Sequence, residues 1–355
     1  MPVLGRPEDT SDSHAGGPAL GATWNLSIRC CLLGLLAGGL ALTASPRAQA
    51  DPVYSLPSGA EPVDLSVALG TDVAGVDVPS PAQDPACGSP RDHPFRPGKG
   101  TDRYRSFGSR VGAVKWEFSG MMGILTAVNL PKDIKHGSDF HFHNEGFFGH
   151  DTDNVGVDKL DHAFNSYLYA DILYARMKRK TGGGFQSALT AGILAIGLQA
   201  YGEIYDGFED SSGWSMQDTA FNIIGAGFSV LRNSVPGLDE KLDFREQITP
   251  NSHFYSHEGK EHFRQQHFLL ALKLAGFETF KETPLRLVEL QLGYYASGFT
   301  PRERARGETP ERRPFVGIGL NVGELLFGSA PTPFTHAAKT ALEYIEIPDT
   351  AIRSQ

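Results

Sequence analysis

Val157-Asp158-Lys159-Leu160-Asp161-His162-Ala163-Phe164-Asn165-Ser166-Tyr167-Leu168-Tyr169 is the stretch on which the fold turns. Asp158, His162, Asn165 and Tyr169 recur at i, i+4, i+7 and i+11, which is one stripe of an α-helix. Leu160, Phe164, Tyr167 and Leu168 form a separate apolar stripe. The pattern predicts a helix from about Val157 to Arg179, stopped by Gly182-Gly183-Gly184. A second helix is expected from Phe185 to about Phe208, and a third from Ser215 to just before Pro236-Gly237. Ser215 and Asp218 have the spacing of a capping box, with Asp in place of the usual Glu.

The next two helices also carry polar stripes, but not solvated ones. Ala188, Gly192, Ala195, Gln199, Glu203 and Asp206 share a face of the second, and Asp218, Asn222, Gly225 and Ser229 share a face of the third. A face turned to water is usually rich in Lys, Glu and Arg, whereas small residues on a helix allow another backbone to come close. The stripes are therefore expected to face one another and to gather Asp158, His162, Glu203, Asp206, Asp218 and Asn222 in one pocket, with Lys159, rotated about 100° from Asp158, as a candidate donor and Ser215 among the motif residues. Grouped carboxylates cannot all stay ionised without a cation, a proton or hydrogen-bond donors to compensate. Three readings stay open. The cluster is a structural network, with Asp158 as N-cap, Asp218 in the capping box and His162 in the core. Or it is a divalent-metal site held by Asp158, His162, Glu203, Asp206 and Asp218. Or it performs acid–base chemistry without a metal.

Outward from this core, Val111 to Leu130 reads as a helix ended by Pro131. The aromatics of Phe140 to Gly149 are expected to plug the elements that follow. Lys260 to Ala275 reads as a fourth, amphipathic helix, and Thr335 to Tyr344 as a last short one. Val288, Leu290, Leu292 and Tyr294 alternate with polar or small residues, as do Val316, Ile318, Leu320 and Val322. Both segments read as strands, paired antiparallel across Pro301 to Arg313. The expected fold is mainly α, a compact helical bundle with a small C-terminal antiparallel β element, α+β overall.

The N-terminal part reads as an address. Arg29 precedes the apolar run Cys30 to Leu42, and Ala48-Gln49-Ala50 has the small-x-small form of a secretory cleavage site. Residues 1–50 are expected to be a signal peptide, 51–105 a Pro-rich flexible arm with a weak strand signal at Val63 to Val67, and 106–347 the helical domain with its strands. Neither Cys30 nor Cys31 follows the apolar run as a lipid-accepting cysteine would. Of the three cysteines Cys87 alone lies beyond Ala50, so no internal disulfide is expected after cleavage. With 32 basic and 41 acidic residues the net charge is −9, which argues against nucleic acid as a partner. The 41 glycines and 23 prolines point to long irregular stretches.

No nucleophile elbow, phosphate loop or dinucleotide fingerprint is present. His257-Glu258 with His262 superficially suggests a zinc-protease helix, but histidines five apart do not share a face. His253, His257, His262 and His267 are expected along a partly exposed segment.

Gly156-Val157-Asp158-Lys159-Leu160-Asp161-His162, then Glu203-Ile204-Tyr205-Asp206-Gly207-Phe208, then Gly213-Trp214-Ser215-Met216-Gln217-Asp218 with Asn222 and Gly225 form an ordered trio of motifs. Together with Glu145-Gly146-Phe147-Phe148-Gly149, Gly293-Tyr294-Tyr295 and Gly317-Ile318-Gly319-Leu320-Asn321, the chain resembles the YfiM-like family of predicted periplasmic lipoproteins over roughly 110–330. It is more distantly similar to membrane-embedded VanZ-like proteins. The resemblance implies an envelope location and a set of motif residues, but no reaction. The expectation is thus an exported periplasmic or cell-envelope protein of unassigned role; a separate reading, from the Gly-rich alternating C-terminal strands, is peripheral contact with a membrane or an outer-membrane protein. The alternative is a metal-dependent hydrolase acting on an envelope component.

Overall fold

A computed structural model describes residues 101–210, 212–249, 258–328 and 332–354. The expected signal peptide, most of the proline-rich arm, the Val63–Val67 strand, His253 and His257 lie outside these residues. A short 3-10 turn, Thr101–Tyr104, leads into α1 (Phe107–Ala113) and α2 (Lys115–His136). The bundle is α3 (Val157–Thr181), α4 (Phe185–Phe208) and α5 (Met216–Ser234). Helix α3 lies at its centre, packed on both of its partners. The Gly182-Gly183-Gly184 brake acts as read, with all three glycines at positive φ.

A five-stranded antiparallel meander follows: β1 (Leu242–Ile248), β2 (Gln266–Lys273), β3 (Val288–Ser297), β4 (Glu311–Leu320) and β5 (Ala351–Arg353). Short helices α6 (Glu278–Lys281), α7 (Pro301–Ala305), α8 (Val322–Phe327) and α9 (Pro333–Ala341) decorate its connections. The architecture is α+β, with the β3–β4 pair in the expected antiparallel arrangement.

Three expectations need correction, and one is brief: Val322, read as the end of a strand, is the first residue of α8, because Asn321 caps a helix there. The helix read over Val111–Leu130 is two helices broken at Val114. The second runs through Pro131 to His136, because a proline near a helix end removes one backbone bond without abolishing the turn. The helix read over Lys260–Ala275 is instead a 3-10 segment, Glu258–Gln265, followed by β2. Phe268-Leu269-Leu270-Ala271-Leu272 is a short apolar run that suits either state, and pairing with β1 on one side and β3 on the other decides it.

The sheet is inverted relative to a solvated one. One face carries Phe244, Phe268 and Tyr294 at the end covered by α3, where Phe164 meets Phe244 at 5.6 Å and Phe268 at 5.9 Å between ring centroids. Cross-strand register puts Leu270, Leu292 and Val316 in the row of Phe244, then Leu290, Ile318 and Ile352 in the next. The opposite face carries Asp243, Arg245, Lys273, Glu289 and Gln291, all buried. There Arg245 pairs with Asp243, Glu289 and Glu346, each at 2.9 Å, and Lys273 reaches Asp243 at 2.7 Å.

Candidate functional site

The cluster is built where α3, α4 and α5 meet. Gly225 on α5 lies so near α3 that a Cβ there would fall 1.8 Å from the carbonyl oxygen of Ala163. That approach brings the polar stripes within reach of each other. All four members of the α5 stripe and all but Asp206 of the α4 stripe are buried. On α3, Asp158 and Tyr169 are buried while His162 and Asn165 are half-buried.

Lys159 is the centre. Its side chain is 1 % exposed, and its ammonium lies 2.5 Å from Glu145, 2.9 Å from Asp158 and 2.6 Å from Asp218. Burial opposes the charge, but the Asp158, Asp218 and Glu145 carboxylates outweigh it and hold the ammonium above its ordinary value. Glu145 comes from the Phe-rich loop before α3, so it ties that loop to the bundle. Sequence reading left Glu145 out of the cluster, although it stands within the quoted Glu145-to-Gly149 motif.

Asp218 spans two groups. Its backbone N–H donates to the Ser215 hydroxyl at 3.2 Å, so Ser215 is the N-cap of α5, but the expected capping box is corrected to this single half because the Asp218 carboxylate is drawn to Lys159. The Asp218 side chain turns inward, one oxygen to Lys159 and the other 3.7 Å from Nε2 of His162. Nδ1 of His162 lies 3.2 Å from Glu203, out of line for a good hydrogen bond. Burial lowers the His162 pKa, but Asp218 and Glu203, with Asp161 and Asp206 behind them, raise it to about 9. For Glu203 burial acts upward against the pull of His162, and the nearby Asp206 and Asp218 add to it, giving about 7. Asn222 donates to Glu203 at 3.2 Å and accepts from Gln199 at 2.8 Å, closing the network from α4 to α5.

The remaining expected residues fall nearby. Asp158 faces Lys159 and is in the first turn of α3, whose N-cap is Gly156, so the N-cap reading of Asp158 is corrected. Asp206 is half-buried and acts on His162 and Glu203 through its charge. Phe148 packs on Phe221 and Tyr294, whereas Phe140, Phe142 and Phe147 are exposed, so the expected aromatic plug is corrected to Phe148. His262 lies against Phe263, while the His267 ring stacks on Tyr295 at 4.2 Å. Burial, with Arg353 and Arg264, depresses His267 to about 4.

Among the described residues, two triads of ligand atoms come within 4.8 Å of one another: His162, Glu203 and Asp218, and Glu145, Asp158 and Asp218. The ammonium of Lys159 already provides the cation for the second. Against four carboxylates the site offers Lys159 and a protonated His162. Burial chiefly raises Glu203, and that shortage of positive charge adds to it.

Residues 144–234 match the model of a family described as a predicted periplasmic lipoprotein (DUF2279). The match spans about a quarter of the chain and contains the Glu145 loop, Lys159, His162, Glu203, Asp218 and Asn222. The description agrees with an exported, periplasmic or envelope-associated location, and the match lends nothing to the more distant VanZ-like resemblance. No curated protein and no solved structure matches the chain significantly.

A second network, not foreseen from the sequence, lies at the other end of α3. Asp171 accepts from Ser229, from Asn233 at 2.6 Å, from Tyr344 at 3.0 Å and from Arg232 at 3.3 Å. Arg232 continues to Asp243 at 3.0 Å, linking the helices to the sheet. Asp171 falls off the stripe that drew attention to Asp158 and His162, so helix periodicity alone gives no signal for it.

Proposed function

We propose that this is a cell-envelope protein of non-catalytic, scaffolding kind, in which the Lys159 cluster clasps three helices and the Glu145 loop. The observation that carries this reading is a wholly buried ammonium satisfied by three carboxylates, one from the loop, one from α3 and one from α5. Such a group has no free position for a substrate and holds together segments far apart in sequence. Removing one partner of a buried ionic group leaves the others uncompensated, at a cost of about 3–5 kcal/mol. The test is thermal melting and metal analysis of the protein purified without chelator. Lys159→Met and His162→Gln should both melt well below the wild type, which should contain no stoichiometric metal.

A second reading is a metal-dependent hydrolase of an envelope component. It is favoured by the His162, Glu203 and Asp218 triad, whose site lacks positive charge. There a divalent ion would replace the His162 proton and lower the pKa of a bound water. One equivalent of metal in the wild type, lost in His162→Ala, would establish this reading and displace the first.

A further inference from the structure

The clasp consumes the polar stripes, and what α5 leaves outside is apolar. Its two charged residues, Asp218 and Arg232, are both 4 % exposed. Its exposed positions are Met216, Ile223, Ile224, Gly227 and Leu231. Beside it runs the outward sheet face, with Leu270, Leu290, Leu292, Val316, Ile318, Leu320 and Ile352 between 36 % and 86 % exposed. A groove of about 310 Å³, lined by Phe221, Ile224, Phe228, Leu270, Leu292 and Tyr294 among others, makes the helix stripe and the sheet face one continuous surface. Soluble monomers rarely expose a contiguous apolar patch beyond a few hundred Å².

We propose that this surface enters the hydrocarbon edge of a bilayer with anionic headgroups, as an interfacial contact independent of any covalent anchor. Three observations favour lipid over a second copy of the chain. The first is the inversion of the sheet: its other face holds buried ion pairs beside a charged cavity of about 510 Å³, lined in part by Asp243, Arg245 and Lys273. Apolar-out, polar-in alternation is what a sheet against hydrocarbon requires. The second is the rim. Among the exposed outward positions of the described strands Arg312 alone is charged, and it stands at the Ala296 end of the apolar rows. Cations at the edge of an apolar patch suit anionic headgroups. The third is extent, since the surface passes from a sheet onto a helix. Among the described residues no helix is long and apolar enough to cross a membrane, so the contact lies on the bilayer.

The inference goes beyond the clasp and can fail separately, because its readout is lipid contact rather than melting. The full chain carrying Cys30→Ser, Cys31→Ser and Cys87→Ser, with Ile318→Cys labelled by an environment-sensitive fluorophore, is mixed with phosphatidylethanolamine/phosphatidylglycerol vesicles. The label should shift to the blue and brighten, while a label at Glu278→Cys, in a residue whose side chain is 88 % exposed, should not respond. Adding Leu292→Lys and Val316→Lys should weaken vesicle partition by roughly tenfold or more without lowering the melting temperature. Arg312→Gln should weaken it less. An unresponsive label at Ile318, or full partition of the double lysine variant, would overturn the proposal. So would a blue shift without vesicles that grows with protein concentration, which would assign the surface to a second copy.

Discussion

His162 and Lys159 are three residues apart, yet their protons respond differently to pH. His162 is raised from 6.5 to about 9, so the folded protein holds that proton more tightly than the unfolded chain. Its contribution is complete below about pH 6.5 and disappears as pH rises through about 9. Glu203, raised from 4.5 to about 7, acts with the same sign in a lower window. Its proton favours the folded state most below pH 4.5, and that contribution is lost as pH rises towards 7. The free energy of unfolding in urea titrations should therefore fall as pH rises from 6.5 to 9, by an amount on the order of 3 kcal/mol. His162→Gln should flatten that part of the profile. A slope unchanged in the variant would show that His162 is not the group responsible. Lys159 stays charged across this range, so Lys159→Met should destabilise throughout pH 6.5 to 9 by about 3–5 kcal/mol, as urea unfolding would show.

At the scale of the element, α5 is where the packing is least forgiving. Gly225→Val places side-chain atoms against the backbone of Ala163, which has no rotamer to move. The loss should be at least about 1–3 kcal/mol in a thermal melt. Gly227 is in the same helix with nothing within 4 Å of a Cβ. Gly227→Ala should therefore stabilise by up to about 1 kcal/mol. Opposite signs two residues apart would locate the α3–α5 contact, whereas equal effects would count against it. Ser215→Ala should cost about 1 kcal/mol through the lost N-cap. The helix boundaries were legible because glycine brakes and a serine cap mark them locally. Strand β1 was not: Leu242-Asp243-Phe244-Arg245-Glu246-Gln247-Ile248 looks like a charged surface segment until Arg232, Lys273 and Glu346 are seen beside it.

For the whole molecule, the C-terminal segment joins the two halves of the fold. Tyr344 bonds to Asp171 on α3, while Glu346 pairs with Arg245 on β1 and accepts from Gln291 on β3 at 2.8 Å. Ending the chain after Leu342 would remove these partners and β5, leaving Asp171 and Arg245 buried with part of their compensation gone. Destabilisation by about 3–5 kcal/mol or more is expected. Circular dichroism would show it as an earlier, broader melt, and a melt unchanged by the truncation would refute this role.

Much of the candidate site could be read from spacing alone. The stripes on three helices named Asp158, His162, Glu203, Asp218 and Asn222, since side chains at helical intervals share a face whatever the rest of the chain does. Small residues within the stripes announced that those faces meet. Which atom sits at the centre was a tertiary matter. Lys159 is rotated off the Asp158 stripe, and only the approach of the Glu145 loop and of α5 surrounds its ammonium with carboxylates. The same holds for the sheet, where alternation predicted two strands but not which face would be buried. That outcome depends on the charges of Asp243, Arg245 and Glu289 finding partners from distant segments, because an ionic group can leave water only where another one meets it.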